Sequence, residues 1–202
     1  MTIKAVIFDM GQVFIYYDVM IAAKKMSKII KVPTKEIFEV VNSARTNFTH
    51  DYELGKPPKV YWGELEKKFN VKIDIKQFEK FWTYIFWPNK PMIRLIKKLK
   101  KKYKIAVLSN TGAPHINYLE KKYNIFSIFD AKIYSYKVKQ RKPGPKIYKE
   151  TLKKLKVRPN EAVFIDDRIE NVRGAEKLGI HGIHFKNNKQ FLREIKKLGV
   201  EI

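Results

Sequence analysis

Four segments of the chain place acidic, hydroxyl or ammonium groups where a regular element begins or ends. Asp9 follows the apolar run AVIF, Ser109 follows IAVL, Asp166 and Asp167 follow VFI, and Lys142 stands before a proline-marked helix start. Carboxylate oxygens are the ligands that Mg²⁺ prefers, a hydroxyl and an ammonium can hold phosphoryl oxygens, and a carboxylate can attack phosphorus to form an aspartyl-phosphate. One such acid alone is typical of a helix cap or turn. The four segments together predict phosphoryl-transfer chemistry.

These residues are predicted to meet because of the elements that carry them. After residue 91, short apolar strands alternate with amphipathic helices, a pattern typical of βαβ units with a parallel sheet. The carboxyl ends of such strands share one edge, which is where ligands bind. We therefore predict an α/β protein with a Rossmann-like parallel sheet.

A helical block interrupts this pattern between the first strand and the rest. Residues from Val19 to Phe86 contain four helical stretches, with Thr34 and Asp74 as candidate N-caps. We expect a core formed by residues 1–15 and 91–202, and an inserted helical cap formed by residues 16–90 that covers one end of the sheet.

The chain resembles the haloacid dehalogenase superfamily of phosphohydrolases. The segments that carry the resemblance are VIFDMGQVF, IAVLSNTG, QRKPGPKIY and VFIDDRIENVRGAEKLGI. DYELGK, WPNKPMI and SNTGAPH further resemble a subgroup with a small helical cap, which includes sugar-phosphate phosphatases and the N-terminal phosphatase domain of soluble epoxide hydrolases. The resemblance supports the predicted fold and cap.

The resemblance implies a catalytic role for several residues. Asp9 would be the nucleophile, Ser109 would bind the transferring phosphoryl group, and Lys142 would stabilise its charge. Asn110 would support the Ser109 loop, and Asn110, Gly11 and Gln12 would complete the phosphate-binding segment.

A magnesium site follows from the same resemblance. Its ligands would be Asp9, the backbone carbonyl of Gly11, and Asp166, with Asp167 as a second acid that acts directly or through water. Asn171 and Arg168 would support these ligands from behind; their alternative role is to stabilise the local turn and helix start.

Gly11 departs from the pattern of the resembling phosphatases. These usually carry a second aspartate two residues after the nucleophile, which protonates the leaving oxygen, and such help is worth roughly 10²–10⁴-fold in rate. With glycine at this position, three alternatives are open. The substrate could have a good leaving group, another residue could donate the proton, or turnover could be weak. The candidate donors are His115, whose alternative role is a surface residue at a helix start, and the flanking residues Asp18 and Gln12.

The cap is expected to select the substrate. His50, Tyr52, Glu53 and Lys56 lie near a helix break and could reach across the site. The aromatic segment FWTYIFWP could line a pocket, although it is more typical of cap core.

Composition narrows the remaining function classes. The 202 residues carry a net charge of +23, no cysteine and no apolar run of membrane-spanning length. The charge alone suggests a polyanion partner, but the lysines are spread along helix faces. We therefore do not expect a nucleic-acid partner, although the charge does not exclude one. A cytoplasmic monomer or homodimer without a membrane partner is predicted.

The leading prediction is a Mg²⁺-dependent phosphohydrolase of a small phosphorylated metabolite, such as a sugar phosphate, acting through an aspartyl-phosphate on Asp9. The alternative is a catalytically weak or inactive protein that binds phosphorylated ligands and has a regulatory role. The third hypothesis is a nucleic-acid-associated protein. A dehalogenase is less expected, because Asp166 and Asp167 indicate metal and phosphate chemistry.

Overall fold

The strands of the protein form one parallel sheet and one small antiparallel ribbon. The computed structural model describes residues 2–42 and 47–202. In chain order, the strands of these residues are β1 (Ala5–Phe8), β2 (Ile15–Tyr17), β3 (Phe86–Pro88), β4 (Lys104–Ser109), β5 (Ala131–Tyr134), β6 (Ala162–Asp166) and β7 (His181–His184). The sheet has the order β5-β4-β1-β6-β7 with every pair parallel, whereas β2 pairs with β3 antiparallel. The predicted α/β fold with a parallel sheet is confirmed.

Helices connect the strands and cover the sheet. In chain order they are α1 (Val19–Ile30), α2 (Thr34–Asn42), α3 (Asn47–Glu53), α4 (Pro58–Phe69), α5 (Ile75–Thr83), α6 (Lys90–Leu99), α7 (Ala113–Lys122), α8 (Ser135–Val138), α9 (Pro145–Leu155), α10 (Ile169–Glu176) and α11 (Asn188–Lys197). Short 3₁₀ turns lie at Asn124–Ile128 and Pro159–Glu161. None of the described helices is long and apolar enough to cross a membrane.

Both faces of the sheet are buried, as the apolar strands predict. Side chains alternate along β1, so Val6 and Phe8 belong to one apolar cluster while Ala5 and Ile7 belong to another. Residues of α9 and α10 cover the second face, and residues of α6, α7 and α11 cover the first. The first cluster continues from the sheet into α1–α5, so the cap helices share an apolar core with the sheet.

The helical block lies between β2 and β3, and its last helix is shorter than the sequence predicted. We predicted helix through Phe86, but α5 ends at Thr83 and Phe86 belongs to β3, where it lies opposite Tyr17. Asp74 caps α5 as predicted, accepting hydrogen bonds from two backbone N–H groups, whereas Thr34 is itself the first residue of α2. The predicted end of that second helix, at residues 43–44, lies outside the described residues. The ribbon was not predicted, because its two short strands are separated by about 70 residues.

Candidate active site

The parallel sheet brings the predicted chemistry to one edge. β1 lies between β4 and β6, in register such that Phe8 pairs with Val107 and Ile165. Asp9, Ser109 and Asp166 therefore follow or end three adjacent strands on the same side. All three side chains are buried, which sets them in a low-dielectric site.

Lys142 joins two of these strand ends. Its ammonium Nζ donates to Asp9 Oδ1 at 2.7 Å, to Asp166 Oδ2 at 2.6 Å and to the Leu108 carbonyl at 3.0 Å. The side chain is only 1% exposed. Lys142 therefore holds a fixed positive charge between the two carboxylates.

Asn110 fixes the loop that delivers Lys142. Its side-chain oxygen accepts from the Lys142 backbone N–H at 2.8 Å, and its amide donates to the Lys142 carbonyl at 3.1 Å. This reciprocal pair takes up the Asn110 amide group, so we assign Asn110 to positioning Lys142 in addition to lining the pocket.

Asp166 and Asp167 have different surroundings. Asp166 is fully buried, and its oxygens accept from Lys142, from the Asn171 side-chain NH₂, which lies 3.1 Å from each of them, and from the Arg168 backbone N–H at 2.9 Å. Asp167 is partly exposed and lines the pocket. Both oxygens of Asp166 are thus hydrogen-bonded within the protein, whereas Asp167 presents its carboxylate to the pocket.

Asn171 and Arg168 contact Asp166 in different ways: Asn171 through its side chain, and Arg168 only through its backbone, which fits the alternative role at the turn and helix start. Asn171 is buried and bonds both carboxylate oxygens. Arg168 contributes its backbone N–H, while its exposed guanidinium pairs with Glu170.

The electrostatics of the cluster follow from three acids around one ammonium. Burial raises the pKa of Asp9 to about 8, with Lys142 opposing and Asp166 and Asp167 adding. Burial and the Asp166 charge likewise raise the pKa of Asp167 to about 6. Burial acts to lower the pKa of Lys142, but Asp166 and Asp9 raise it above its ordinary value. The lysine therefore stays charged. A cation bound beside Asp9 and Asp167 would lower both of their pKa values again and so favour the ionised carboxylates.

The acidic cluster fits a hard divalent cation. One oxygen each from Asp9, Asp166 and Asp167 lies within 4.8 Å of the others. An all-oxygen carboxylate set suits Mg²⁺, which commonly takes one or two carboxylates and completes its shell with phosphate and water.

The space beside Gly11 is filled by Tyr17, a pocket residue that the sequence did not single out. A Cβ atom on Gly11 would lie 2.9 Å from Cε1 of Tyr17 and 3.9 Å from its Cζ. Burial raises the pKa of the Tyr17 phenol, and the charges of Asp167 and Asp9 add to this, so the hydroxyl stays protonated. The ring thus occupies the region that an acidic side chain at position 11 would enter.

Two of the candidate donors near this region have other contacts. The Gln12 amide donates to the Tyr17 carbonyl at 2.9 Å and does not line the pocket, which argues against the predicted phosphate-binding role. The Asp18 carboxylate accepts from the Met20 N–H as the N-cap of α1 and also lies outside the pocket lining.

His115 lies in the pocket wall but is poorly suited to acid–base work. Its Nε2 is 3.0 Å from the Trp82 carbonyl, which only accepts, so Nε2 carries the hydrogen. Burial lowers the pKa of His115 to about 3, and the ring stacks on Trp82. The Nε2–H of His115 is thus bonded to Trp82, and burial disfavours the protonated ring, so these contacts argue against the predicted acid–base role. The alternative surface role is also wrong, because the side chain is buried.

The end of α3 connects the cap to the core beside the site. Ser135 Oγ lies 2.6 Å from the Glu53 carbonyl and accepts from the Thr111 N–H at 2.9 Å. The Glu53 carboxylate pairs with Arg141, one residue before Lys142. Burial raises the pKa of Glu53, with Arg141 opposing. We call these contacts of Glu53, Thr111, Ser135 and Arg141 the α3 contact; Ser135 and Arg141 carried no signal in the sequence.

The other cap residues we singled out divide between the pocket and the surface. Tyr52 lines the pocket and accepts from the His115 N–H at 3.2 Å, and its ring lies so close to Gly112 that a Cβ there would be 2.5 Å from Tyr52 Cζ. His50 and Lys56 are exposed and lie outside the lining. Within the aromatic segment, Trp82 and Phe86 line the pocket while also packing in the apolar core.

The chain is similar to several known hydrolases and phosphatases. A family model for haloacid dehalogenase-like hydrolases matches residues 3–179. A sesquiterpene phosphatase of Aspergillus oryzae is 27% identical over 98% of this chain and 97% of its own length. The bifunctional epoxide hydrolase 2 of Mus musculus is 33% identical over 54% of this chain, but the match spans only 21% of that protein.

A solved structure agrees with the fold. A HAD family enzyme of Bacteroides thetaiotaomicron, an aspartate-to-alanine mutant in complex with magnesium and inorganic phosphate, superposes with a TM-score of 0.81 at 25% identity and covers 92% of this chain and 95% of that chain.

Proposed function

Since the chain belongs to the haloacid dehalogenase-like hydrolase family, we propose that it is a Mg²⁺-dependent phosphohydrolase of a small phosphorylated metabolite. The observation that carries this proposal is the buried bridge of Lys142 between Asp9 and Asp166, with Asp167 beside it. Such a set holds a nucleophile, a fixed positive charge and a cation site at one point.

Asp9 is the nucleophile in this proposal. Its carboxylate attacks phosphorus, and the bond from phosphorus to the leaving oxygen breaks, which gives an aspartyl-phosphate and an alkoxide. The alkoxide takes a proton from solvent and leaves as the alcohol. Water then hydrolyses the aspartyl-phosphate and releases inorganic phosphate. The Lys142 ammonium, 2.7 Å from Asp9 Oδ1, holds the carboxylate in place and offsets the charge that develops on the phosphoryl oxygens.

Other residues around Asp9 would bind the phosphoryl group, hold the metal and position Lys142. The Ser109 hydroxyl, buried at the end of β4, binds a phosphoryl oxygen. Asp9 and Asp167 would hold Mg²⁺ together with the Gly11 carbonyl, and Asp166 would fix Lys142. When bound, Mg²⁺ supplies positive charge that orients the phosphoryl group and balances the acids.

Gly11 favours a second candidate, a weak phosphatase that mainly binds phosphorylated ligands. No carboxylic acid stands two residues after Asp9, and a proton for the leaving oxygen must then come from solvent or be unnecessary for a good leaving group. Comparison of an aryl phosphate with an alkyl phosphate separates the two candidates. Comparable turnover of both favours an efficient phosphatase, whereas turnover of the aryl ester alone favours the weak one.

A phosphate-release assay with an aryl phosphate and Mg²⁺ tests the proposal directly. We expect Asp9→Asn to reduce turnover to the uncatalysed baseline, because the amide is not a nucleophile. The matched control is Asp74→Asn at the N-cap of α5, where asparagine caps equally well and turnover should persist. Undiminished turnover in Asp9→Asn would show that Asp9 is not the nucleophile.

Removal of the metal provides an independent measurement. We expect chelation to abolish turnover and Mg²⁺ to restore it. Mg²⁺ should also raise the Tm of the wild-type protein, since binding to the folded state stabilises it, and raise that of Asp167→Asn less. An unchanged Tm at millimolar Mg²⁺ would contradict the proposed cation site.

A further inference from the structure

The pocket between the cap and the sheet has two unlike ends. At the sheet edge it is lined by the charged and hydroxyl groups of the catalytic cluster. At the cap end the lining includes five apolar or aromatic side chains that are nine-tenths or more buried: Val19, Val41, Trp82, Ile85 and Phe86. The polar residues of the lining on this side are Asn42, Thr49, Tyr52, Glu53 and His115. A phosphoester bound with its phosphoryl group at Asp9 therefore extends its organic group toward an apolar wall.

Polar atoms near this wall are largely engaged within the protein. The Thr49 hydroxyl donates to the Val41 carbonyl at 3.0 Å, the Tyr52 hydroxyl accepts from the backbone N–H of His115, and the ring Nε2 of His115 donates to the Trp82 carbonyl. A group with many hydroxyls would lose its water here and regain few partners, which costs free energy for each unpaired group.

Trp82 offers a polar contact on this wall. Its indole Nε1 is buried with no hydrogen-bond partner, while its ring stacks on His115. Among the described lining residues, Asn42, Tyr52 and Thr111 add a few further polar groups. These groups can pair with one or two polar atoms of a ligand but not with all of the several hydroxyls of a sugar.

We propose that the substrate is a phosphomonoester whose organic group is apolar, alkyl or aryl, and packs against the cap end of the pocket. This inference rests on the proposed phosphatase function and narrows its substrate class. It departs from the sugar phosphate that the sequence suggested. The apolar wall supplies binding free energy by removing the organic group from water.

Binding of a chain-length series tests this inference without turnover. The probes are n-alkylphosphonates from ethyl to hexyl, which cannot be hydrolysed, measured by calorimetry with Mg²⁺ present. We expect the affinity to rise about two- to fourfold with each methylene, as burial of a CH₂ predicts, and the heat-capacity change to become more negative. For n-alkyl phosphates, kcat/KM should rise with chain length in the same way and exceed that for glucose 6-phosphate.

A paired substitution locates the effect at the cap wall. Val41→Thr places a hydroxyl on the wall at nearly constant volume, and we expect it to weaken hexylphosphonate binding about three- to tenfold while leaving ethylphosphonate binding nearly unchanged. Val60→Thr is the control, because Val60 is exposed on α4 and outside the pocket lining. Circular dichroism and Tm establish that both variants are folded.

The outcomes separate this inference from the function on which it rests. If ethyl phosphate is hydrolysed but affinity and kcat/KM stay flat or fall with chain length, or glucose 6-phosphate is preferred, the apolar substrate class is wrong while the phosphatase stands. An equal loss for ethyl- and hexylphosphonate in Val41→Thr also contradicts it. If no phosphonate binds and no phosphoester is hydrolysed, the phosphatase proposal fails and the inference fails with it.

Discussion

The Tyr17 ring packs against Gly11 and occupies the space that an acidic side chain at position 11 would need. The Tyr17 ring lies against the position where a side chain on residue 11 would start. An aspartate at position 11 therefore competes with this ring for space. Restoring the acid by a single substitution is consequently also a packing change.

We expect Gly11→Asp alone to destabilise the protein by about 1–3 kcal/mol, because a Cβ at 2.9 Å from Cε1 forces the ring to move. In a Tyr17→Ala background the same substitution should cost less, since the obstructing ring is absent. Urea unfolding of the four proteins measures this interaction as a double-mutant cycle. Additive effects would mean that the ring and the new side chain do not compete.

His115 gives a second prediction at the scale of one residue, concerning pH. Burial lowers its pKa to about 3, below its ordinary value of 6.5. Between these values the unfolded chain binds a proton at this histidine that the folded chain does not, so the contribution of His115 to stability falls as the pH drops below 6.5. This contribution should change by about 2 kcal/mol between pH 7.5 and pH 5, while the raised pKa values of Asp9 and Asp167 act in the opposite direction.

Denaturant unfolding across this pH range checks the effect. His115→Phe, which cannot titrate, isolates the effect: the unfolding free energy of the wild-type protein minus that of His115→Phe should fall by about 2 kcal/mol from about pH 7.5 to about pH 5. Phe48→Leu, a substitution in the cap core, serves as a control that lowers stability without altering the pH slope. Equal slopes in wild type and His115→Phe would contradict the prediction.

The α3 contact is the feature of most consequence at the scale of elements. One buried hydroxyl, Ser135 Oγ, connects the end of α3 to the loop after β4 through the Glu53 carbonyl and the Thr111 N–H. The adjacent Glu53–Arg141 pair lies one residue from Lys142. The position of the cap is therefore coupled to the loops that form the site.

Ser135→Ala should lower the free energy of unfolding by about 1–3 kcal/mol, because it leaves a buried N–H and a buried carbonyl without their partner. Hydrogen exchange at the Thr111 amide should become faster. Ser127→Ala is the control, since Ser127 is exposed and bonds only to its own turn at Asn124. A change below about 0.3 kcal/mol in Ser135→Ala would mean that the cap does not depend on this hydroxyl.

The elements also show what a sequence can and cannot predict. β1, β4 and β6 were predictable because each is a short apolar run that ends in a polar residue, and a parallel sheet sends such ends to one edge. The ribbon was not predictable, because β2 and β3 are three residues each and stabilise one another only after the intervening chain has folded.

The same distinction holds within the site. The meeting of Asp9, Ser109 and Asp166 follows from strand order, which local patterns indicate. The different surroundings of Asp166 and Asp167, the ring of Tyr17 beside Gly11 and the burial of His115 depend on side-chain packing between distant segments. Residue type and spacing carry no information on such contacts.

At the scale of the whole molecule, a protein with a net charge of +23 holds a cluster of three acids at its candidate site. A basic field accelerates the approach of anions, and salt screens it. Most lysines lie on exposed helix faces such as those of α6 and α9. The charge thus favours encounter with an anionic substrate without specifying it.

We expect kcat/KM for a phosphomonoester to fall about two- to tenfold when ionic strength rises from about 20 to 200 mM. The value of kcat at saturating substrate should change little, because steering acts on encounter. Steady-state kinetics over a salt series measures both. A kcat/KM that is independent of salt would show that the charge does not steer the substrate.

The ribbon of β2 and β3 carries both chain crossings between the sheet and the helical block. Tyr17 and Phe86, the last and first residues of these strands, lie directly opposite each other. Two crossings that are hydrogen-bonded side by side resist being drawn apart or slid past one another, but they can twist together. The chain therefore enters and leaves the helical block at one place, and any displacement of the block relative to the sheet must pass through this pair of strands.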